Sequence, residues 1–194
     1  GQLIQTGCRT TKGVMGYDLT RLLVGSEGTL ALITEATLKL LPAPEARATL
    51  RVCYASNADA CRAVARVMSQ AVVPCALEFM DKQSISAIQA AGAATDLPAG
   101  TAALLMVEAD GVREDLPRQV AALKLALAGE GLLELQQAMD KDAVTALWLA
   151  RKSLSHAVKL IAPLKINEDV VVPVSRLAEL VIYTEHLAVE YALP

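Results

Sequence analysis

Two groups of residues in this sequence have types and spacings that could do chemistry. In the first, a helix begun by Asp140 sets Val144, Trp148, Arg151 and Ser155 at i, i+4, i+7 and i+11, on the stripe expected to face the interior. A guanidinium turned inward is costly unless it meets an anion, and its planar fork suits a carboxylate contacted at two points. The partner is either an internal Asp or Glu or the carboxylate of a bound substrate, and on general grounds the internal ion pair is the commoner arrangement. Just beyond, Lys165, Asn167 and Asp169 alternate onto one face of an expected strand, with Ile166, Val170 and Val172 on the other. That polar face lines a cavity if it looks inward and is a solvated edge if it looks out.

The second group is Gly25-Ser26-Glu27-Gly28-Thr29, between an expected helix and an expected strand. Two glycines permit positive φ and close backbone approach, and successive N–H groups can face an anion. No Gly-Lys-Ser/Thr follows, so this is not a P-loop, and helix–loop–strand is the reverse of the dinucleotide fingerprint. Taken alone the segment is a tight turn. Cys8, Cys53, Cys61 and Cys75 form no C-x-x-C pair and have no His-rich neighbourhood, so neither a zinc site nor a thioredoxin-type redox motif is signalled and buried free thiols are the expectation. His156 lies roughly 100° around its helix from Ser155, and His186 sits mid-helix, so neither joins a second ligand at metal spacing. No metal ligand and no catalytic base is assigned within these residues.

The elements that must position these groups follow from periodicity. A short helix is expected over Asp18–Val24 and a strand over Thr29–Leu40, where Leu30, Leu32, Leu38 and Leu40 alternate with Glu35, Thr37 and Lys39. Pro42-Ala43-Pro44 then marks a boundary, because proline fixes φ and removes a donor. Strands follow at Thr49–Tyr54, Ala76–Met80, Ala102–Ala109, Leu132–Gln136 and Lys165–Val172. Helices fall at Asn57–Gln70 with Asn57 as N-cap, Lys82–Ala90, Glu114–Ala128, from Asp140 to Val158, and from a Ser175 cap to Tyr191. This alternation predicts an α+β fold, a mostly antiparallel sheet of ferredoxin-like layout with helices on one face.

The 194 residues, 54% hydrophobic and 20% charged with a net charge of −3, suit aliphatic helix-on-sheet packing and can bury a sizeable core. No basic block interleaved with aromatics points to nucleic acid, and no apolar run approaches the ~20 residues of a membrane span. The chain opens on Gly1 without a leader-like segment and ends on Leu193-Pro194 directly after an apolar helix, so truncation of a longer cytosolic protein is expected.

The string Lys12-Gly13-Val14-Met15-Gly16-Tyr17-Asp18-Leu19, followed by Leu22 to Leu30 and Ile33-Thr34-Glu35, closely resembles a family signature. The family is the FAD-linked oxidases of the vanillyl-alcohol oxidase type, in the branch holding the glycolate oxidase flavoprotein subunit, D-lactate dehydrogenase and D-2-hydroxyglutarate dehydrogenase. The resemblance continues through Ala76-Leu77-Glu78-Phe79-Met80-Asp81, Val107-Glu108-Ala109-Asp110-Gly111, Leu147-Trp148-Leu149-Ala150-Arg151-Lys152 and Ile166 to Pro173, nearly the whole chain. Ala31 stands where the family commonly has glycine and Gly13 where it often has asparagine.

The resemblance implies that residues 1–44 end an FAD-binding domain. Residues 45–194 would then form the C-terminal substrate, or cap, domain, cut short at its C-terminus. It makes Gly25, Ser26, Glu27, Gly28, Thr29 and Ile33 flavin-loop residues. It makes Arg151 with Ser155 the holder of a 2-hydroxy acid carboxylate, with Lys165 and Asn167 on the substrate side. The implied reaction oxidises a D-2-hydroxy acid such as glycolate or D-lactate to the 2-oxo acid by hydride transfer to FAD. FAD would belong to the full-length protein and not be retained by these 194 residues alone. Partners would be a small 2-hydroxy carboxylate, the N-terminal FAD domain, and other oxidase subunits or an electron acceptor, with a location in the cytoplasm or peripheral at the inner membrane. Rival readings are an alkyl-glycerone-phosphate-synthase-like FAD enzyme and a non-catalytic α+β binding module.

Overall fold

The computed structural model describes the chain except Val14, Ala93, Ala94, Thr95, Pro163, Lys165, Asn167, Pro194 and the side chain of Ala150. It divides into two units, Gly1–Pro42 and Ala43–Pro194. Among the described residues the first holds one helix, α1 (Leu19–Leu23), whose N-cap Asp18 accepts from the Arg21 N–H. The strand expected over Thr29–Leu40 is not formed, and Leu30, Leu32, Leu38 and Leu40 are all more than half exposed. Alternation specifies which side of a strand is apolar, but a strand exists only against a hydrogen-bonded neighbour, and this segment has none.

The second unit runs β1 (Ala46–Tyr54), α2 (Asn57–Met68), β2 (Ala76–Met80), α3 (Lys82–Ala90), β3 (Ala103–Gly111), α4 (Leu116–Leu127), β4 (Leu132–Ala138), α5 (Lys141–Ile161) and α6 (Leu177–Glu190). The sheet order is β2-β3-β1-β4, with every neighbouring pair antiparallel. Two strand–helix–strand crossovers, β1-α2-β2 and β3-α4-β4, interleave in this order. That is the ferredoxin-like layout, with α3 standing where a hairpin would join β2 to β3.

The two central strands are apolar in sequence because both of their faces are covered. Ala48, Leu50, Val52 and Tyr54 of β1 and Leu105, Val107 and Ala109 of β3 pack under Val64 and Val67 of α2 and Leu116, Leu123 and Leu127 of α4. On the opposite face Cys53, Leu104, Met106 and Met80 pack against Ile85 and Ile88 of α3 and Leu147 and Ala157 of α5. Helices therefore occupy both sides of the sheet, where the strand pattern had predicted one.

Other local differences have simple causes. Ser56, not Asn57, caps α2, because Ser56 keeps extended backbone while its hydroxyl accepts from the Asp59 N–H. Ser175 lies inside a 3-10 turn (Val174–Arg176), and α6 starts behind it at Leu177 without a side-chain cap. The described residues between Ala162 and Pro173 form no strand, and Asp169 is exposed. The Lys165 and Asn167 of that predicted strand lie outside the described residues.

Candidate functional site

Period-two alternation puts Thr49 and Arg51 of β1, Glu108 of β3 and Glu78 of β2 on the sheet face under α5. Thr49 pairs with Glu108 across the β1–β3 ladder, and Arg51 and Glu78 both flank Met106. Glu108, 7% exposed, would be strongly destabilising there without donors. The Thr49 hydroxyl donates to its Oε2 at 2.9 Å and the Trp148 indole N–H donates to the same oxygen at 3.1 Å. The Arg47 guanidinium reaches its other oxygen at 3.4 Å. Glu108 on the sheet thus holds α5 through Trp148, one turn before Arg151.

Arg151 donates from Nε to Glu78 Oε2 at 2.8 Å, so an internal carboxylate does meet it. The pair is not sealed: the two side chains are 40% and 39% exposed. The bond is made through Nε, and neither terminal nitrogen of Arg151 makes a hydrogen bond to a described residue, so a two-pronged edge is available to an anion. Ser155 is exposed rather than inward. At 100° per residue it sits about 80° around from buried Leu147, on the rim of the stripe that Leu147, Arg151 and Leu154 follow.

Arg51 is a second charge on this face. It is 5% exposed and donates to Asp96 at 2.8 Å and to Glu134 at 3.2 Å. With two carboxylates on one guanidinium it is a structural clamp. Glu78, Glu108 and Arg51 were not singled out from sequence as site residues, yet a signal existed: each is a charge set between two apolar neighbours within a strand.

The remaining candidates behave differently. In the glycine loop Gly25 and Gly28 adopt φ of +86° and +78°, and a Cβ on either would meet nothing within 4 Å. The Ser26 N–H is spent on Leu23 O at 3.1 Å and the Thr29 N–H on Ser26 O at 3.0 Å, while Ile33 is exposed. The loop is therefore a tight turn with bare backbone on its outer side. All four cysteines are free. Cys53 and Cys61 are buried as expected, but Cys8 and Cys75 are exposed. The Cys75 thiol, part-buried although the residue as a whole is exposed, donates to the Glu108 backbone carbonyl at 3.2 Å, and that burial, with Asp110 and Glu108 nearby, pushes it up to about 11. His156 and His186 are exposed, and no group of three metal-capable side chains occurs among the described residues. A shallow depression lined by Val120, Lys124, Gln137 and Met139 lies by α4, on the other side of the sheet from Arg151, and gathers no catalytic groups.

The fold and site define a ferredoxin-like α+β domain with a charged sheet face beneath its longest helix. Residues 43–194 match the family of FAD linked oxidases, C-terminal domain, and the chain belongs to that family. It is 36% identical over 191 residues to the glycolate oxidase subunit GlcD of Bacillus subtilis (strain 168), covering 98% of this chain and 40% of that protein. It is 34% identical over 200 residues to a D-lactate dehydrogenase of Anaerostipes hadrus, covering 98% of this chain and 41% of that one. The chain thus spans about two fifths of the length of these relatives. Among solved structures, alkyldihydroxyacetonephosphate synthase superposes with a TM-score of 0.63 at 19% identity, covering 90% of this chain and 37% of that one, a likeness of fold alone. No helix among the described residues is long and apolar enough to cross a membrane.

Proposed function

We propose that this chain is the substrate-side portion of a flavin-dependent oxidoreductase that oxidises a 2-hydroxy acid, of the glycolate or D-lactate kind, to the 2-oxo acid. Family membership and relatives named as a glycolate oxidase subunit and D-lactate dehydrogenases support the reaction class. The observation that carries the site is Arg151, held at Nε by Glu78 and open at its terminal nitrogens.

In this reading the open edge of Arg151 receives the substrate carboxylate in a two-point contact, which fixes the position of the hydroxyl-bearing carbon. Ser155 on the rim of α5, together with Lys165 and Asn167, orients the same carboxylate. Residues 1–44 close an FAD-binding domain. The bare backbone at Gly25 and Gly28 fits a planar cofactor approaching closely, with Ser26, Glu27, Thr29 and Ile33 beside it. FAD, when bound, supplies the acceptor for the hydride that leaves the substrate carbon. Partners are the small carboxylate, the rest of the flavin domain, and oxidase subunits or another electron acceptor, in the cytoplasm or at the inner membrane periphery.

The test is Arg151→Ala in the full-length, FAD-loaded protein. Losing charge-assisted bonds to a carboxylate should lower kcat/KM for glycolate and D-lactate by about 100-fold, with flavin content unchanged. Undiminished turnover of both acids would sink the anchor assignment.

A further inference from the structure

We propose that Glu78 is a positioning residue for this reaction, one that turns the fork of Arg151 toward the substrate carboxylate; the proposal rests on the reading of Arg151 as the anchor. An arginine side chain projecting from a helix has several free torsions, and ordering it at the moment of binding weakens affinity. Glu78 removes much of that freedom in advance. It accepts from Nε, the donor on the side edge of the guanidinium, at 2.8 Å, which fixes the plane of the group while leaving the edge formed by the two terminal nitrogens open.

Both ends of the device are fastened to one sheet. Glu78 sits in the middle of β2, which is paired to β3 along its whole length from Ala76 opposite Glu108 to Met80 opposite Leu104. The helix that carries Arg151 is tied to the same strand β3 by the Trp148 indole on Glu108 at 3.1 Å. The backbone of Arg151 and its guanidinium are therefore each referenced to β3, a strand whose side chains are almost wholly buried. The position of the charge in sequence agrees. Glu78 interrupts the apolar run Ala76-Leu77-Glu78-Phe79-Met80, yet its pair with Arg151 is about two-fifths exposed, and an ion pair so open to water adds little to folding. A carboxylate in that place is better accounted for by what it does to Arg151 than by what it adds to stability.

The experiment compares Glu78→Ala, Glu78→Gln and Arg151→Ala in the full-length FAD-loaded protein. The readouts are kcat and KM for glycolate and D-lactate, the Kd of pyruvate by calorimetry, and Tm. Freeing one long side chain should raise KM and the pyruvate Kd by about 10-fold in Glu78→Ala, with kcat and Tm little changed. The amide oxygen of glutamine still accepts from Nε, so Glu78→Gln should return both constants to within about threefold of the unsubstituted protein. Unchanged KM and Kd in Glu78→Ala, alongside raised values in Arg151→Ala, would overturn the role of Glu78 and leave the anchor standing. A Glu78→Gln protein as impaired as Glu78→Ala would also overturn it. Unchanged values in Arg151→Ala would instead remove the anchor reading on which the proposal rests.

Discussion

The sheet face under α2 and α4 and the face under α3 and α5 are built from the same strands, residue by alternate residue, and they differ in kind. Under α2 and α4 the side chains are aliphatic, and the one deeply buried hydroxyl, that of Tyr54, donates to the Leu127 carbonyl at 2.6 Å. Under α3 and α5 the same two central strands place Thr49, Arg51 and Glu108 beside Cys53, Leu104 and Met106. Each buried charge there has named partners, and one of them, Trp148 on Glu108, lies on the same helix as Arg151. One face stabilises the domain by area removed from water; the other accepts costly charges and arranges them.

The largest effect should come from the aliphatic face. Leu123, fully buried in α4, leaves a cavity when truncated, so Leu123→Ala should lower stability by about 2–5 kcal/mol in urea unfolding, with KM of the loaded enzyme unaltered. A raised KM would break the separation between the faces. Next comes Cys53 on the charged face, whose thiol burial pushes from an ordinary value near 9 up to about 11. The neutral thiol is favoured in the folded state, so its stabilisation is complete below about pH 9 and is lost as pH rises through 11. Full titration over that window corresponds to roughly 2–3 kcal/mol. Cys53→Ala should flatten the fall of the urea midpoint between pH 9 and 10, ahead of Tyr54 on the aliphatic face, which burial pushes up to about 12. An equal slope with and without the thiol would remove Cys53 from the account.

The contrast between the faces also decides what could be read in the sequence. Helices with one apolar stripe were legible, α3 at Lys82–Ala90 and the capping of α5 by Asp140 among them, because a 3.6 period and a cap are local signals. The α+β class and a ferredoxin-like layout were legible in the alternation of strands and helices, whereas the strand order comes from the register. The second helical layer did not, since a strand buried on both faces shows only that it is covered, not by what. The same limit hid Glu78 and Glu108. Their partners, Arg151 and Trp148, are 73 and 40 residues away, and only the sheet register brings them together. The Thr29–Leu40 alternation misled for the converse reason: the pattern is local, but a strand needs a neighbour, and none forms among the described residues of this unit.

The smallest effect should be that of the bond tying the charged face to its helix. Trp148→Phe keeps a ring at the site and removes the one indole donor, so Glu108 retains Thr49 and Arg47 but loses one of its two donors on Oε2. The expected loss is about 1–2 kcal/mol, toward the lower end of values for hydrogen bonds to charged groups because the carboxylate stays partly satisfied. Ring shrinkage contributes to the same number, and a double-mutant cycle with Glu108→Gln separates the two, since a packing defect would add independently of the carboxylate. A coupling of about 1 kcal/mol would identify the hydrogen bond as the tether. A coupling near zero would mean that α5 is seated by its apolar contacts, Leu147 and Ala157 foremost, and that the charged face arranges Arg151 through Glu78 without help from Glu108.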